Sequence, residues 1–269
     1  MLHYINKGHG PVLLFIHAFP LDHSMWQSQM EFFQNRCRVV APDILGFGGS
    51  QPPRPWNMEQ MGDELLILMD HLNIDRCTLA GLSIGGYIAL PFAAKHPNRV
   101  DKLVLAHTRA RADNETERNN RTAMIEALQE NGIAILPERM LPRLLAPGAP
   151  ADIRERLTQT ILDASPNAAI FAVTAMRNRT DATSLLGQLQ CPTLVIAGGQ
   201  DAILNVDDCR QMAAAPKRQG AWRTSAGHEK ARGPESRLRH VCRWKRPIDR
   251  PARCRRQNAR RTEPRFRAA

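Results

Sequence analysis

The sequence predicts an α/β protein: a mostly parallel sheet with helices on both faces and an all-helical insert. Three observations predict it. Apolar, strand-like runs alternate with segments of helical period from residue 11 to 106, consecutive helical patterns replace them between 108 and 189, and the alternation resumes at Thr193-Leu194-Val195-Ile196. Such alternation calls for parallel strands, because a parallel connection must run back along the sheet and a helix does so while covering the apolar face. With 269 residues and 43% hydrophobic content, the chain can bury the core of one such domain.

Residues 11–17 read as a buried strand, 25–34 as a helix, and 38–41 as a second strand ending at Asp43. Met61, Leu65, Leu68, Met69 and Leu72 recur with a helical period, and Asn73 stops that helix before the apolar run Cys77-Thr78-Leu79-Ala80. A helix-compatible stretch from Gly86 to Leu90 and a strand over 100–106 follow. In the insert, helices are expected over 121–131, 133–145 and 152–162, and from the cap Ser165-Pro166-Asn167 to about Arg177. Residues 1–107 and 190–248 are therefore assigned to the core, 108–189 to a helical cap over the carboxyl edge of the sheet, and 249–269 to a basic, disordered tail. The bland alternative for the insert is a bundle of packing helices.

Chemistry enters at Gly81-Leu82-Ser83-Ile84-Gly85, where a serine stands between a strand and a helix. A turn this sharp strains the serine backbone and exposes its hydroxyl, and it tolerates only small residues at 81, 85 and 86. The five-residue pattern alone is weak; its strand-before, helix-after context makes it specific. Three further segments supply what such a serine requires. The strand at 11–17 ends in His17-Ala18-Phe19-Pro20, where the Phe19 N–H can join the Ile84 N–H as an oxyanion hole and His17 can support the loop. The strand at 193–196 ends in Ala197-Gly198-Gly199-Gln200-Asp201, which puts the Asp201 carboxylate at the same edge. His228 follows 27 positions later on the small-residue loop Ser225-Ala226-Gly227-His228. The expected triad is thus Ser83, Asp201 and His228, in an order unlike that of the chymotrypsin or subtilisin types.

From residue 11 to about 215 the chain resembles the α/β-hydrolase superfamily, in particular its small-esterase and 3-oxoadipate enol-lactonase-like branch. The resemblance rests on His17-Ala18-Phe19-Pro20-Leu21-Asp22-His23-Ser24-Met25-Trp26, Pro42-Asp43-Ile44-Leu45-Gly46-Phe47-Gly48-Gly49-Ser50, the serine turn, and Leu103-Val104-Leu105-Ala106 followed by Thr108-Arg109-Ala110. It implies a serine hydrolase with a helical cap and leaves the substrate open. Two positions depart from the pattern. Ala18 replaces the usual glycine and requires a backbone outside positive φ. His107 replaces a residue that many relatives make small or acidic; a structural role at the strand end is expected of it, with a place facing the pocket as the alternative.

The six cysteines, at 37, 77, 191, 209, 242 and 254, form no Cys-x-x-Cys pair and read as reduced thiols. An aromatic content of 5% argues against sugar- or base-stacking surfaces. The N-terminus lacks a signal-peptide pattern and no apolar run is long enough for a membrane span, so a cytoplasmic protein is expected. The formal charge of +11 is unevenly placed: residues 216–269 hold 18 of the 37 basic and 4 of the 26 acidic residues. A reading-frame change near 215 would give such arginine-rich text; a natural extension binding polyanions is the alternative. Residues 217–224 show no strand pattern ahead of His228.

The expected function is cleavage of small carboxylic esters through an acyl-enzyme, with no metal or cofactor and no specific nucleic-acid partner. A lactonase is the alternative, with Arg109, Arg111 or Arg143 as partners for substrate carboxylates; a non-catalytic binding protein on the same scaffold ranks behind both. Each site residue has a plainer reading: a turn serine for Ser83, a helix cap for Asp201, a surface histidine for His228. Asp207 and Asp208 fall inside the next helical pattern, and neither His96 nor His240 sits on a suitable loop.

Overall fold

The structure is a computed structural model that describes residues 1–146, 148–199, 201 and 203–215, and the backbone of 222–225. Its strands are β1 (Tyr4–Lys7), β2 (Val12–Ile16), β3 (Arg38–Pro42), β4 (Cys77–Leu82), β5 (Val100–Ala106), β6 (Thr193–Ile196) and β7 (Trp222–Ser225). They form one sheet in the order β1-β3-β2-β4-β5-β6-β7. β1 lies antiparallel on β3 and every other pairing is parallel. The central strands read as unbroken apolar runs because both faces are covered: Leu14, Leu79, Leu103 and Val104 are fully buried.

Ile16 stands beside Gly81, Leu82 beside Ala106, and Ala106 beside Ile196. The carboxyl ends of β2, β4, β5 and β6 are therefore level, and the segments that leave them share one edge. That edge is where ligands bind in open parallel sheets.

The helices are α1 (Gln27–Phe33), α2 (Met58–His71), α3 (Ile84–Lys95), α4 (Glu115–Asn131), α5 (Ile135–Leu144), α6 (Ala151–Leu162), α7 (Pro166–Asn178) and α8 (Val206–Ala214). α2 opens with an Asn57/Gln60 capping box and buries Met58, Met61, Leu65, Leu68 and Met69 on one face. α3 has no polar face of comparable extent and buries nine residues, including Ile84, Tyr87, Ile88 and Leu90. Between β5 and β6 the described residues hold helices α4 to α7, a 3-10 segment at Thr183–Gln188 and no strand, as the sequence predicts. α7 starts where expected, with the Ser165 hydroxyl accepting from the Ala168 N–H at 3.0 Å.

Several elements differ from expectation. β1 is unforeseen, since an edge strand of two half-buried and two exposed residues carries almost no apolar signal. α4 begins six residues before the expected 121, because its start is set by the polar capping box of Asn114 and Glu117. Residues 222–225 form a strand on β6 although 217–224 show no strand pattern; the register Leu194↔Arg223 and Ile196↔Ser225 is a backbone pairing on β6, which sequence alternation need not announce. His228, the segment after Pro234, Cys242, Cys254 and the tail at 249–269 lie outside the described residues.

Among the described residues, no helix is long and apolar enough to cross a membrane.

Candidate active site

Ser83 leaves β4 with φ 55° and ψ −113°, a conformation that L-residues rarely adopt. Steric closure explains the glycines around it. A Cβ on Gly81 would lie 2.2 Å from the Gly85 carbonyl oxygen, one on Gly85 would lie 2.4 Å from that of Ile16, and one on Gly86 would lie 2.4 Å from Thr108 Cγ2. Hydrogen bonds fix what sterics select. The Ser83 N–H donates to the Ala106 carbonyl at 2.9 Å, while the Ser83 carbonyl accepts from the Gly86 N–H at 2.9 Å and from Thr108 Oγ1 at 2.8 Å. The turn is thus clamped to β5 from both sides.

The loop after β2 lies beside it. His17 is fully buried, its Nε2 accepts from the Ile44 N–H at 2.8 Å, and its Nδ1 lies 3.0 Å from the Ala18 carbonyl. Because an N–H must donate to Nε2, the proton resides on Nδ1, and burial pulls the pKa down and keeps the ring neutral. Ala18 avoids positive φ, so its departure from glycine costs nothing in the backbone. Among the described residues, neither the Phe19 N–H nor the Ile84 N–H has an acceptor, which leaves both donors free for a ligand oxygen.

Asp43 anchors the neighbouring loop. Its buried carboxylate accepts from the His23 N–H (2.8 Å), His23 Nδ1 (2.8 Å), His3 Nδ1 (2.7 Å) and the Gly49 N–H (3.0 Å). Burial opposes its ionisation, but the His23 bond and the two N–H groups bring its pKa down to about 2, and the same carboxylate raises that of His23. His3, His23 and Asp43 are also the one group of potential metal ligands among the described residues. Its carboxylate is already satisfied by protein donors, so nothing in the group calls for an ion.

Asp201 follows β6 and faces the same edge. Its Oδ1 accepts from the N–H groups of Ile203 (2.8 Å) and Leu204 (3.0 Å), and its Oδ2 lies 2.5 Å from His107 Nδ1. Burial would raise its pKa, but the His107 bond and the two backbone donors hold it below the usual range, so the group is ionised at neutral pH. It does not cap α8; Asn205 does, by accepting from the Asp207 N–H at 2.9 Å. The expected partner His228 lies outside the described residues.

The sequence reading missed the His107 contact. Residue 107 follows β5 as 83 follows β4 and 197 follows β6, so the level strand ends were the available signal.

The arginines beyond β5 serve the protein's own carboxylates. Arg109 reaches Asp113 and Glu117, each at 2.5 Å; Arg111 reaches Glu117 at 2.7 Å and Asp208 at 2.7 Å; and Arg179 reaches Asp113 at 2.7 Å. Glu117 is held down to about 2, chiefly by its bond from Arg111. Arg143 is exposed on α5. Cys37, Cys77, Cys191 and Cys209 are buried and form no disulfide, and burial raises Cys77 to about 12 and Cys191 and Cys209 to about 11, which keeps those three thiols protonated at neutral pH.

Known proteins resemble this chain in sequence and fold. The family model described as alpha/beta hydrolase fold matches residues 11–228. "3-oxoadipate enol-lactonase 2" of Acinetobacter baylyi is 30% identical over 213 residues, covering 77% of this chain and 78% of that protein. Among solved structures, a thermophilic esterase from Thermogutta terrifontis superposes with a TM-score of 0.80 at 37% identity, over 90% of this chain and 92% of that one. The enol-lactonase of Burkholderia xenovorans gives 0.73 at 26%, over 84% and 88%. With a serine turn at the level edge of a parallel sheet and the family match spanning most of its length, the chain belongs to the alpha/beta hydrolase fold family.

Proposed function

We propose that this hydrolase is a carboxylesterase-type serine hydrolase that cleaves small carboxylic esters through an acyl-enzyme. The observation that carries the reading is the strained Ser83, held at φ 55° with two unsatisfied N–H groups, those of Ile84 and Phe19, at the same edge. Ser83 Oγ attacks the ester carbonyl carbon as His228 takes its proton; the imidazolium returns that proton to the departing alkoxide, and the alcohol leaves. Water, deprotonated by the same imidazole, then attacks the acyl carbon and frees the acid and Ser83.

Asp201, ionised, accepts the second ring N–H of His228 and stabilises the imidazolium. The Phe19 and Ile84 N–H groups receive the oxyanion, each such donor being worth about 3 kcal/mol of barrier in comparable sites. Residues 108–189 act as the cap. The chemistry asks for no metal or organic cofactor.

Two of the relatives described above are named enol-lactonases, and lactone cleavage would use the same residues. The ion pairs of Arg109 and Arg111 favour the ester reading, because a dicarboxylic lactone would have to compete with Asp113, Glu117 and Asp208 for those guanidinium groups. Turnover of p-nitrophenyl acetate and butyrate, set against a dicarboxylic enol-lactone, tests this. Faster cleavage of the esters is expected, and turnover of the lactone alone overturns the preference. Equal turnover of both by wild type and Ser83→Ala overturns the serine mechanism.

A further inference from the structure

The site contains an imidazole for which the proposed reaction has no task. His107 sits one strand over from Ser83, with its N–H on the Ile196 carbonyl at 2.8 Å and its backbone at φ 45°. Non-glycine residues rarely adopt that region, so the surroundings must hold it there. Its ring lies against Gly198, where a Cβ would come within 2.9 Å of His107 Cε1. Across that glycine, Nδ1 meets Asp201 Oδ2 at 2.5 Å, and about a third of the His107 side chain remains exposed.

An ionised carboxylate has about four acceptor positions, two on each oxygen. On Asp201 the N–H groups of Ile203 and Leu204 occupy both positions on Oδ1, and His107 occupies one on Oδ2. Among the described residues no donor takes the other position on Oδ2, the oxygen that His107 shares. An acid held in this way presents the other lone pair of Oδ2 to a second imidazole in a fixed direction. His107 also ties the acid's loop to the β5 end, whose next residue, Thr108, holds the Ser83 carbonyl.

Resting on the Ser83, Asp201 and His228 reading above, we propose that His107 is a positioning residue: its Nδ1–H pins Asp201 so that the general base docks on the other lone pair of Oδ2. It acts through Asp201 and does not touch substrate. No proton leaves it during turnover.

Asparagine separates the two nitrogens of the ring. Its Nδ2 takes the place of His107 Nδ1, it tolerates positive φ, and it has nothing at Nε2. In the full-length enzyme, His107→Ala is expected to lower kcat for p-nitrophenyl butyrate about tenfold with KM unchanged, and His107→Asn to recover to within about threefold of wild type. Combining His107→Ala with Asp201→Asn should cost no more than Asp201→Asn alone, a coupling that a merely structural role would not produce. Three results would overturn the proposal: wild-type kcat in His107→Ala, additive losses in the double variant, or a His107→Asn enzyme as inactive as Ser83→Ala. The last would make Nε2 of His107 the base itself. Ser83→Ala in the same assay keeps the failures distinct, since turnover surviving there overturns the triad and not only the role of His107.

Discussion

The two ends of the proposed site are held by different physics. At Ser83 the backbone is closed in by sterics: three glycines lie where a Cβ would meet other atoms at 2.2 to 2.4 Å, and the strained residue has no conformational alternative. At Asp201 nothing is closed in. Among the described residues the carboxylate is placed by three hydrogen bonds, one of them from a side chain 94 positions away in the chain. Packing collapses when one methyl is added, whereas a hydrogen-bonded group loosens by degrees. Substitutions at the two ends should therefore fail in different ways.

The largest effect tests the chemistry common to both ends. Ser83→Ala should reduce kcat by about 10⁵-fold or more while the fold survives, measured by ester turnover beside circular dichroism. Asp201→Asn should follow, with a loss of about 10³ to 10⁴-fold in kcat and little change in melting temperature, because it alters the tautomer preference of the base and leaves the packing intact. Gly81→Ala should behave in the opposite way. Its Cβ has only backbone to displace, so a stability loss of about 3 kcal/mol is expected in urea unfolding, with activity lost alongside it. A Gly81→Ala protein with wild-type stability and activity would break the comparison.

That contrast also explains what could be read from sequence. The serine turn was legible because sterics demand glycine at fixed short offsets and leave few other residues possible at 81, 85 and 86. The mostly parallel sheet and the strand-free insert were legible because a sheet covered on both faces needs unbroken apolar runs. Asp201 could be placed at the correct edge from its strand. Its partner His107 was missed, since a hydrogen bond between residues 107 and 201 leaves no local pattern in either segment and only the level strand ends bring the two together. The start of α4 was missed because polar capping replaces apolar periodicity there, and β7 because a strand can add to β6 through its backbone alone.

Smaller effects sharpen the account. Asp43, with a folded-state pKa of about 2 against 3.8, contributes stability that is fully present above pH 3.8 and is lost as pH falls through about 2. The linkage amounts to about 2 kcal/mol, and Asp43→Asn should flatten that part of the acid limb in a stability-versus-pH series. The raised pKa of His23 has the opposite sign: its contribution is present below 6.5 and fades as pH rises through the folded value. Thr108→Val removes the 2.8 Å bond to the Ser83 carbonyl and should cost about 1 kcal/mol with a few-fold loss in kcat, since the Gly86 N–H still serves that oxygen.

The most direct test of the central claim, an activated hydroxyl on Ser83, is intact-mass spectrometry after treatment with a fluorophosphonate, followed by peptide mapping. One adduct per chain is expected, carried by the peptide containing Ser83 and absent from Ser83→Ala. A folded wild-type protein that stays unlabelled, or a Ser83→Ala protein that still acquires the adduct, would contradict it.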